Sequence, residues 1–95
     1  DLFEYHPLHN RCAVGNIVRP EHWGMGIATE TLELIENYVF KTLLLNQLWC
    51  IIDENNESSI ALFQKCGFVR NGILRQWKLT ENGYVDVGVW QHTKN

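Results

Sequence analysis

The stretch from Ala13 to Asp53 does most to limit what this chain can fold into, because strand, loop, helix and strand follow one another there without a spacer. Ala13-Val14-Gly15-Asn16-Ile17-Val18 is short, apolar and β-branched at Val14, Ile17 and Val18, the pattern of a buried strand. Arg19-Pro20-Glu21-His22 ends it, since Pro20 has no N–H for a ladder and pushes Arg19 towards extended backbone. A helix then reads from about Gly26 to Thr42, with Ala28, Leu32, Ile35, Val39 and Leu43 on its inward stripe and Tyr38 beside it. Leu43 to Gln47 closes this helix, with Asn46 suited to a left-handed stop. Leu48-Trp49-Cys50-Ile51-Ile52-Asp53 is a continuous apolar run of strand length in which Trp49 is expected as core filling. Strand, helix and strand joined by short loops predict a parallel βαβ crossover.

The loop that opens the helix carries the first chemical expectation. Gly24, Gly26 and Ala28 are small enough to let the backbone of the first turn come close to a ligand. That turn has unpaired N–H groups and the positive end of the helix dipole, so an anion is its natural guest. A phosphate site is therefore expected along Trp23-Gly24-Met25-Gly26-Ile27-Ala28-Thr29. Gly24-x-Gly26-x-x-Thr29 partly imitates a dinucleotide fingerprint, but the third Gly is absent and the acid at Asp53 comes too late. The sequence holds no Gly-Lys-Ser/Thr phosphate loop and no nucleophile elbow.

Downstream, Glu54 to Ser59 is turn and helix-start chemistry, and Asn56 reads as an N-cap. Ile60, Leu62 and Phe63 make the short helix apolar on one side, and Gly67 stops it. Phe68 to Leu79 is a strand bent at Asn71-Gly72, and Asn82-Gly83 signals a hairpin. In the last strand Val85, Val87 and Val89 share one face, and Tyr84, Asp86 and Trp90 the other. The predicted fold class is thus α/β (α+β): a mixed twisted sheet around a central βαβ unit, a second short helix and a C-terminal antiparallel hairpin.

Ninety-five residues suffice for one small domain, and 45% apolar residues with four Trp argue for a packed core rather than disorder. A net charge of −3 without a basic run argues against a nucleic-acid partner. No apolar run approaches the roughly 20 residues of a membrane span, and no signal peptide opens the chain, so no membrane partner and a cytoplasmic location are expected. Cys12, Cys50 and Cys66 lack CxxC spacing and read as reduced thiols, with Cys50 and Cys66 in the core and no positioned His partner for thiol catalysis. His6-x-x-His9-x-x-Cys12 has spacings that could hold a metal, but Pro7 interrupts it and a solvated turn is the preferred reading, so no metal site is expected.

Two motifs carry a family resemblance. Trp23-x-x-Gly26-x-Ala28, within Trp-Gly-x-Gly-x-Ala-Thr-Glu, resembles the acetyl-CoA pyrophosphate loop of the GCN5-related N-acetyltransferases, in the branch of ribosomal-protein and spermidine or diamine acetyltransferases. Asn56-x-x-Ser59-Ile60-x-Leu62-Phe63-x-Lys65-x-Gly67-Phe68 is similar to that family's second cofactor motif. Together they cover roughly Ala13 to Trp90 and imply a GNAT-like partial fold, the C-terminal acetyl-CoA-binding part of a longer acetyltransferase.

The resemblance implies direct transfer of acetyl from acetyl-CoA, as co-substrate, to a small-molecule or N-terminal primary amine. The Asn16 backbone would stabilise the oxyanion, Ile17 and Val18 would take the pantetheine arm as an added strand, and Asn56 would bond the pantetheine amide. The Trp23, Gly24, Met25, Gly26, Ile27, Ala28 and Thr29 backbone would hold the pyrophosphate. Many members carry Tyr as general acid where Phe63 stands here, so Phe63 is expected to wall the thioester and not to donate a proton. Glu4, His9 and Glu21 are the candidate bases, and Tyr84 and Asp86 would border the acceptor site. The acids Glu4, Glu21, Glu54 and Glu57 permit a polyamine without specifying one; amino acids, antibiotics and protein N-termini fit as well. A second reading is a non-catalytic CoA-binding or dimerising fragment, with Asp1–Tyr5 as an exposed edge for a homodimer.

Overall fold

The computed structural model describes residues 2–6, 9–14 and 19–94, the first segment through its backbone alone. Strand β1 (Leu2–His6) lies antiparallel to β2 (Arg11–Val14), with Leu2 opposite Val14 and Phe3 opposite Ala13. Strand β3 (Gln47–Asp53) runs parallel to β2, from Arg11 opposite Gln47 to Ala13 opposite Trp49. A parallel pair demands a crossover. It is supplied by α1 (Pro20–Trp23), α2 (Met25–Asn37) and a π-helical turn, Tyr38–Thr42. After α3 (Glu57–Lys65), strands β4 (Val69–Thr80) and β5 (Gly83–Thr93) form a hairpin, and β5 pairs antiparallel with the whole of β3. The five-stranded sheet has the order β1-β2-β3-β5-β4, which is the expected mixed sheet with its central crossover and terminal hairpin.

Both long helices cover the same face of this sheet. Alternation along the strands sends Cys12, Val14, Leu48, Cys50, Ile52 and Trp90 to that face, where they meet Ala28, Leu32 and Val39 from the crossover and Leu62, Phe63 and Phe68 from the α3 region. Each fully buried Leu, Val or Phe stabilises by about 1.5–3 kcal/mol, so this layer holds the helices in place. Trp49 is not part of it. One residue away from Cys50, it lies on the opposite face beside Arg11, Gln47, Val89 and Gln91, correcting its expected place in the core.

Helix boundaries differ from expectation in physically simple ways. Pro20 starts a one-turn helix instead of merely ending a strand, because its missing N–H and fixed φ suit the first helical position. The long helix does not run regularly to Thr42: the Leu43 N–H reaches back five residues to the Tyr38 carbonyl at 2.9 Å. This wider turn shifts the stripe, so Val39 is buried while Leu43 is exposed, Tyr38 is half-exposed, and Leu45 takes the next core position. Leu44, at φ 55°, makes the left-handed stop that Asn46 was expected to make. Of the strand expected over 13–18, the ladder contains Ala13 and Val14, and residues 15–18 lie outside those described.

The hairpin follows its signals closely. Glu81 and Asn82 form the loop, and Gly83 takes φ 107°, a conformation glycine adopts without cost. One register slip between Arg70 and Gly72 matches the expected bend. A second, between Leu74 and Lys78, has Gln76 at φ 50° with its N–H donated to Asp86 Oδ1 at 2.8 Å.

Where α2 meets the last strand, Glu36 and His92 form a half-buried pair, with His92 edge-on to Phe40. Burial, and then the Glu33 charge, pushes Glu36 up to about 7. Burial also pushes His92 below its ordinary value. Both shifts favour a neutral acid beside a neutral imidazole.

Candidate active-site cleft

The first turn of α2 is built to leave donors free. Gly24 takes φ 87° and ψ 151°, and its carbonyl accepts the first helical bond, from the Ala28 N–H at 3.1 Å. Met25, Gly26 and Ile27 precede that bond, so their N–H groups open the helix without an intrahelical acceptor. No acidic side chain sits in this turn, so the helix dipole is not neutralised from within. A Cβ on Gly24 or Gly26 would meet nothing within 4 Å, which leaves the approach to this backbone open. Ala28 points the other way: its side chain is fully buried in the core and its N–H is spent on Gly24. Its smallness serves packing against the sheet. The Thr29 hydroxyl is likewise committed, donating to the Met25 carbonyl at 2.7 Å.

Among the described residues, pairing of β2 with β3 runs as far as Ala13 and Trp49, and β3 continues through Cys50, Ile51 and Ile52 to Asp53. A cleft of about 230 Å³ opens there, lined among the described residues by Arg19, Glu21, Cys50–Asp53, Asn56, Ser59, Phe63 and Lys78. Cys50, Ile52, Ser59 and Phe63 reach it from the helix-covered side. Ile51 and Asp53 alternate with them and share the other side with Val89 and Val87, their direct partners on β5. The cleft is therefore bordered from both faces of the sheet.

Asn56 is the N-cap of α3, its Oδ1 accepting from the Ser59 N–H and from the Ser58 hydroxyl, both at 3.2 Å. With that oxygen engaged, its Nδ2 donors are what it can offer a ligand. Phe63 is buried at the cleft wall and packs edge-on against Phe68, ring centroids 5.0 Å apart. Cys50 also lines the cleft, but burial pushes its thiol up to about 12, and burial with nearby acids pushes Cys66 up to about 11. Neither is a thiolate near neutral pH, so neither is a ready nucleophile.

The structure thus brings Asn56 and Phe63 to one cleft, with the Trp23–Ile27 loop at the start of the neighbouring helix. Asn16, Ile17 and Val18 lie outside the described residues, as does the Glu4 side chain. Among the other candidate bases, Glu21 lines the cleft and accepts weakly from the Ser58 hydroxyl at 3.4 Å, whereas His9 sits in an exposed turn away from it. Tyr84 is exposed and Asp86 braces the β4 slip, so neither borders the cleft. Three charged lining residues were not singled out for this site from the sequence: Arg19, Asp53 and Lys78. Asp53 had a signal, since it ends the strand after a crossover, where α/β sheets collect ligands. Lys78 had none, because only the β4 slip brings it near. Among the described residues no set of His, Cys, Asp or Glu is arranged to hold a metal ion, and no helix is long and apolar enough to cross a membrane.

Comparison with known proteins agrees with this geometry. A family model described as an acetyltransferase (GNAT) domain matches residues 2–69. The chain is 33% identical over 86 residues to the uncharacterized N-acetyltransferase YoaA of Bacillus subtilis, a match covering 90% of this chain and 49% of that protein. It is 36% identical over 74 residues to the spermidine N(1)-acetyltransferase of Escherichia coli K12, covering 78% and 40% respectively. A dodecameric structure of spermidine N-acetyltransferase from Vibrio cholerae superposes with a TM-score of 0.88 at 27% identity, over 98% of this chain and 54% of that one. The chain spans about half the length of the curated relatives it matches.

Proposed function

Because the chain belongs to the acetyltransferase (GNAT) family, we propose that it serves acetyl transfer from acetyl-CoA to a primary amine, with a polyamine as the first acceptor to test. The observations that carry this reading are the unneutralised N-terminus of α2 and the cleft lined by Cys50–Asp53, Asn56 and Phe63. An acetyl-CoA has two features to satisfy there: a pyrophosphate, which needs N–H donors, and an amide-bearing arm, which needs a strand edge. The free N–H groups at the start of α2 suit the first.

In this reading the Met25, Gly26 and Ile27 N–H groups receive the pyrophosphate, with Trp23, Gly24 and Thr29 shaping the loop. Asn56 offers its Nδ2 to an amide carbonyl of the arm, and Phe63 walls the thioester. Asn16, Ile17 and Val18 are proposed by resemblance as the backbone that meets the thioester carbonyl and the arm. Acetyl-CoA supplies an activated acyl group, so the protein's own task is to hold two substrates together and accommodate charge on the carbonyl oxygen. The amine attacks directly, since the buried thiol of Cys50 stays protonated and offers no acyl-enzyme route. Phe63 has no proton to give, and a thiol of ordinary pKa near 8.5 leaves well enough for water to protonate it.

The three free thiols fit a cytoplasmic location. The outer edges of β1 and β4 are the surfaces proposed for pairing between copies. The test is calorimetric titration of acetyl-CoA, followed by thiol release on adding spermidine. Micromolar binding and amine-dependent release are expected. A folded protein that does not bind acetyl-CoA would refute the reading.

A further inference from the structure

We propose that Asp53 is the carboxylate that anchors an ammonium group of the acceptor, and that Lys78 is the resident group which the acceptor displaces. This rests on the reading above that the cleft takes an amine.

Asp53 ends β3 where the cleft opens, on the face of the sheet away from the helices. The helix N-terminus that suits an anion lies on the other side, so an ammonium-bearing molecule can reach Asp53 without crossing it. Lys78 comes from two strands away. Its backbone pairs with Val85 on β5, yet its Nζ reaches over that strand and donates to both Asp53 oxygens, at 3.0 and 3.1 Å. The slip between Leu74 and Lys78, with Gln76 held left-handed by Asp86, sets this approach.

A lysine side chain beyond its Cα is n-butylammonium. The contact is therefore an internal copy of a primary alkylammonium seated on a carboxylate, with its methylenes trailing through the mouth of the cleft. The occupant is exchangeable: the Lys78 side chain is 51% exposed and that of Asp53 28%, so water competes for both. The second carboxylate of the cleft, Glu21, lies beside Ser58, whose hydroxyl donates to it at 3.4 Å. Asp53 thus selects cationic amines over neutral acceptors, and Lys78 raises the concentration at which they bind.

The test is calorimetric titration of n-butylamine and 1,4-diaminobutane into wild type, Asp53→Asn and Lys78→Met, with acetyl-CoA titrated in parallel. Lys78→Met keeps the apolar stem, one atom shorter, and removes the charge, so amine binding should tighten about three- to fivefold as the competitor is lost. Asp53→Asn should weaken it about tenfold. Acetyl-CoA affinity should hold in both variants. Amine binding that ignores either substitution, or no amine binding at all, overturns the proposal. Because these titrations need no turnover, the two readings fail separately. Loss of acetyl-CoA binding in wild type would sink acetyl transfer, whereas indifferent amine binding beside normal acetyl-CoA binding would sink only the anchor.

Discussion

Gly26→Glu should make the protein more stable and at the same time cost it its anion. A Cβ at Gly26 meets nothing within 4 Å and the position is not left-handed, so the new side chain introduces neither clash nor strain. Replacing Gly in a helix by a good helix former gains about 0.5 kcal/mol, and a carboxylate in a first turn that has none adds roughly 0.3–1 kcal/mol through the dipole. The sum, about 1 kcal/mol, raises Tm by roughly 4–8 °C in a domain of this size. The same carboxylate stands where the pyrophosphate is proposed to bind. At about 4 Å and an effective dielectric near 20 the repulsion is about 4 kcal/mol, and solvent at this open turn reduces it to about 2–3 kcal/mol. Acetyl-CoA affinity should therefore fall about 100-fold. A thermal melt followed by calorimetric titration on the same sample reads both signs, and Gly26→Ala separates charge from bulk by giving a similar melt with less than about tenfold loss. Wild-type affinity in Gly26→Glu would refute the anion site, and a lowered Tm would refute the open geometry of the turn.

Two further outcomes follow from buried groups. Phe63→Tyr adds a proton donor at the cleft wall, but because a thiolate leaves readily, kcat for amine acetylation should change less than about threefold; a rise of tenfold or more would mean that protonation of the leaving group limits wild type. Glu36 has its pKa raised from 4.5 to about 7 in the folded state, so the folded protein binds the extra proton between those values. Its contribution to stability is full below about 4.5 and is lost as pH rises through about 7, by roughly 1–3 kcal/mol. Lowering the His92 pKa has the opposite sign, favouring the fold as pH rises towards its unfolded value. The difference between wild type and Glu36→Gln isolates the carboxyl. Measured by urea unfolding from pH 4.5 to 7.5, it should shift against wild type as pH rises, and parallel profiles would refute the shift.

What the sequence made legible was local. The crossover showed in Val14, the Ala28-Leu32-Ile35-Val39 stripe and the apolar run after Gln47, because periodicity and loop length act over a few residues. Asn56 as a cap and Gly83 at the hairpin followed from the same short-range chemistry, and both take those positions. The features that escaped are set by tertiary fit. Which face Trp49 joins depends on where the helices settle, and nothing in the apolar stripe announces the π turn at Tyr38–Thr42.

The candidate site divides along the same line. Its proposed cofactor side is made of consecutive residues, Trp23 to Thr29 and Asn56 to Phe63, so that the motif spacing alone points to it. The acceptor side we propose is made of residues brought together across strands: Asp53 at the end of β3 and Lys78, delivered by a slip in β4 that no pattern in Phe68–Leu79 announces. A backbone that holds pyrophosphate and pantetheine serves any acceptor, so it can be written as a motif. On the proposed reading, acceptor choice depends on side chains that meet only in the folded chain, as Asp53 and Lys78 do. The part of the function that was legible is the part such a site shares with its relatives, and the part that was not is where specificity is set.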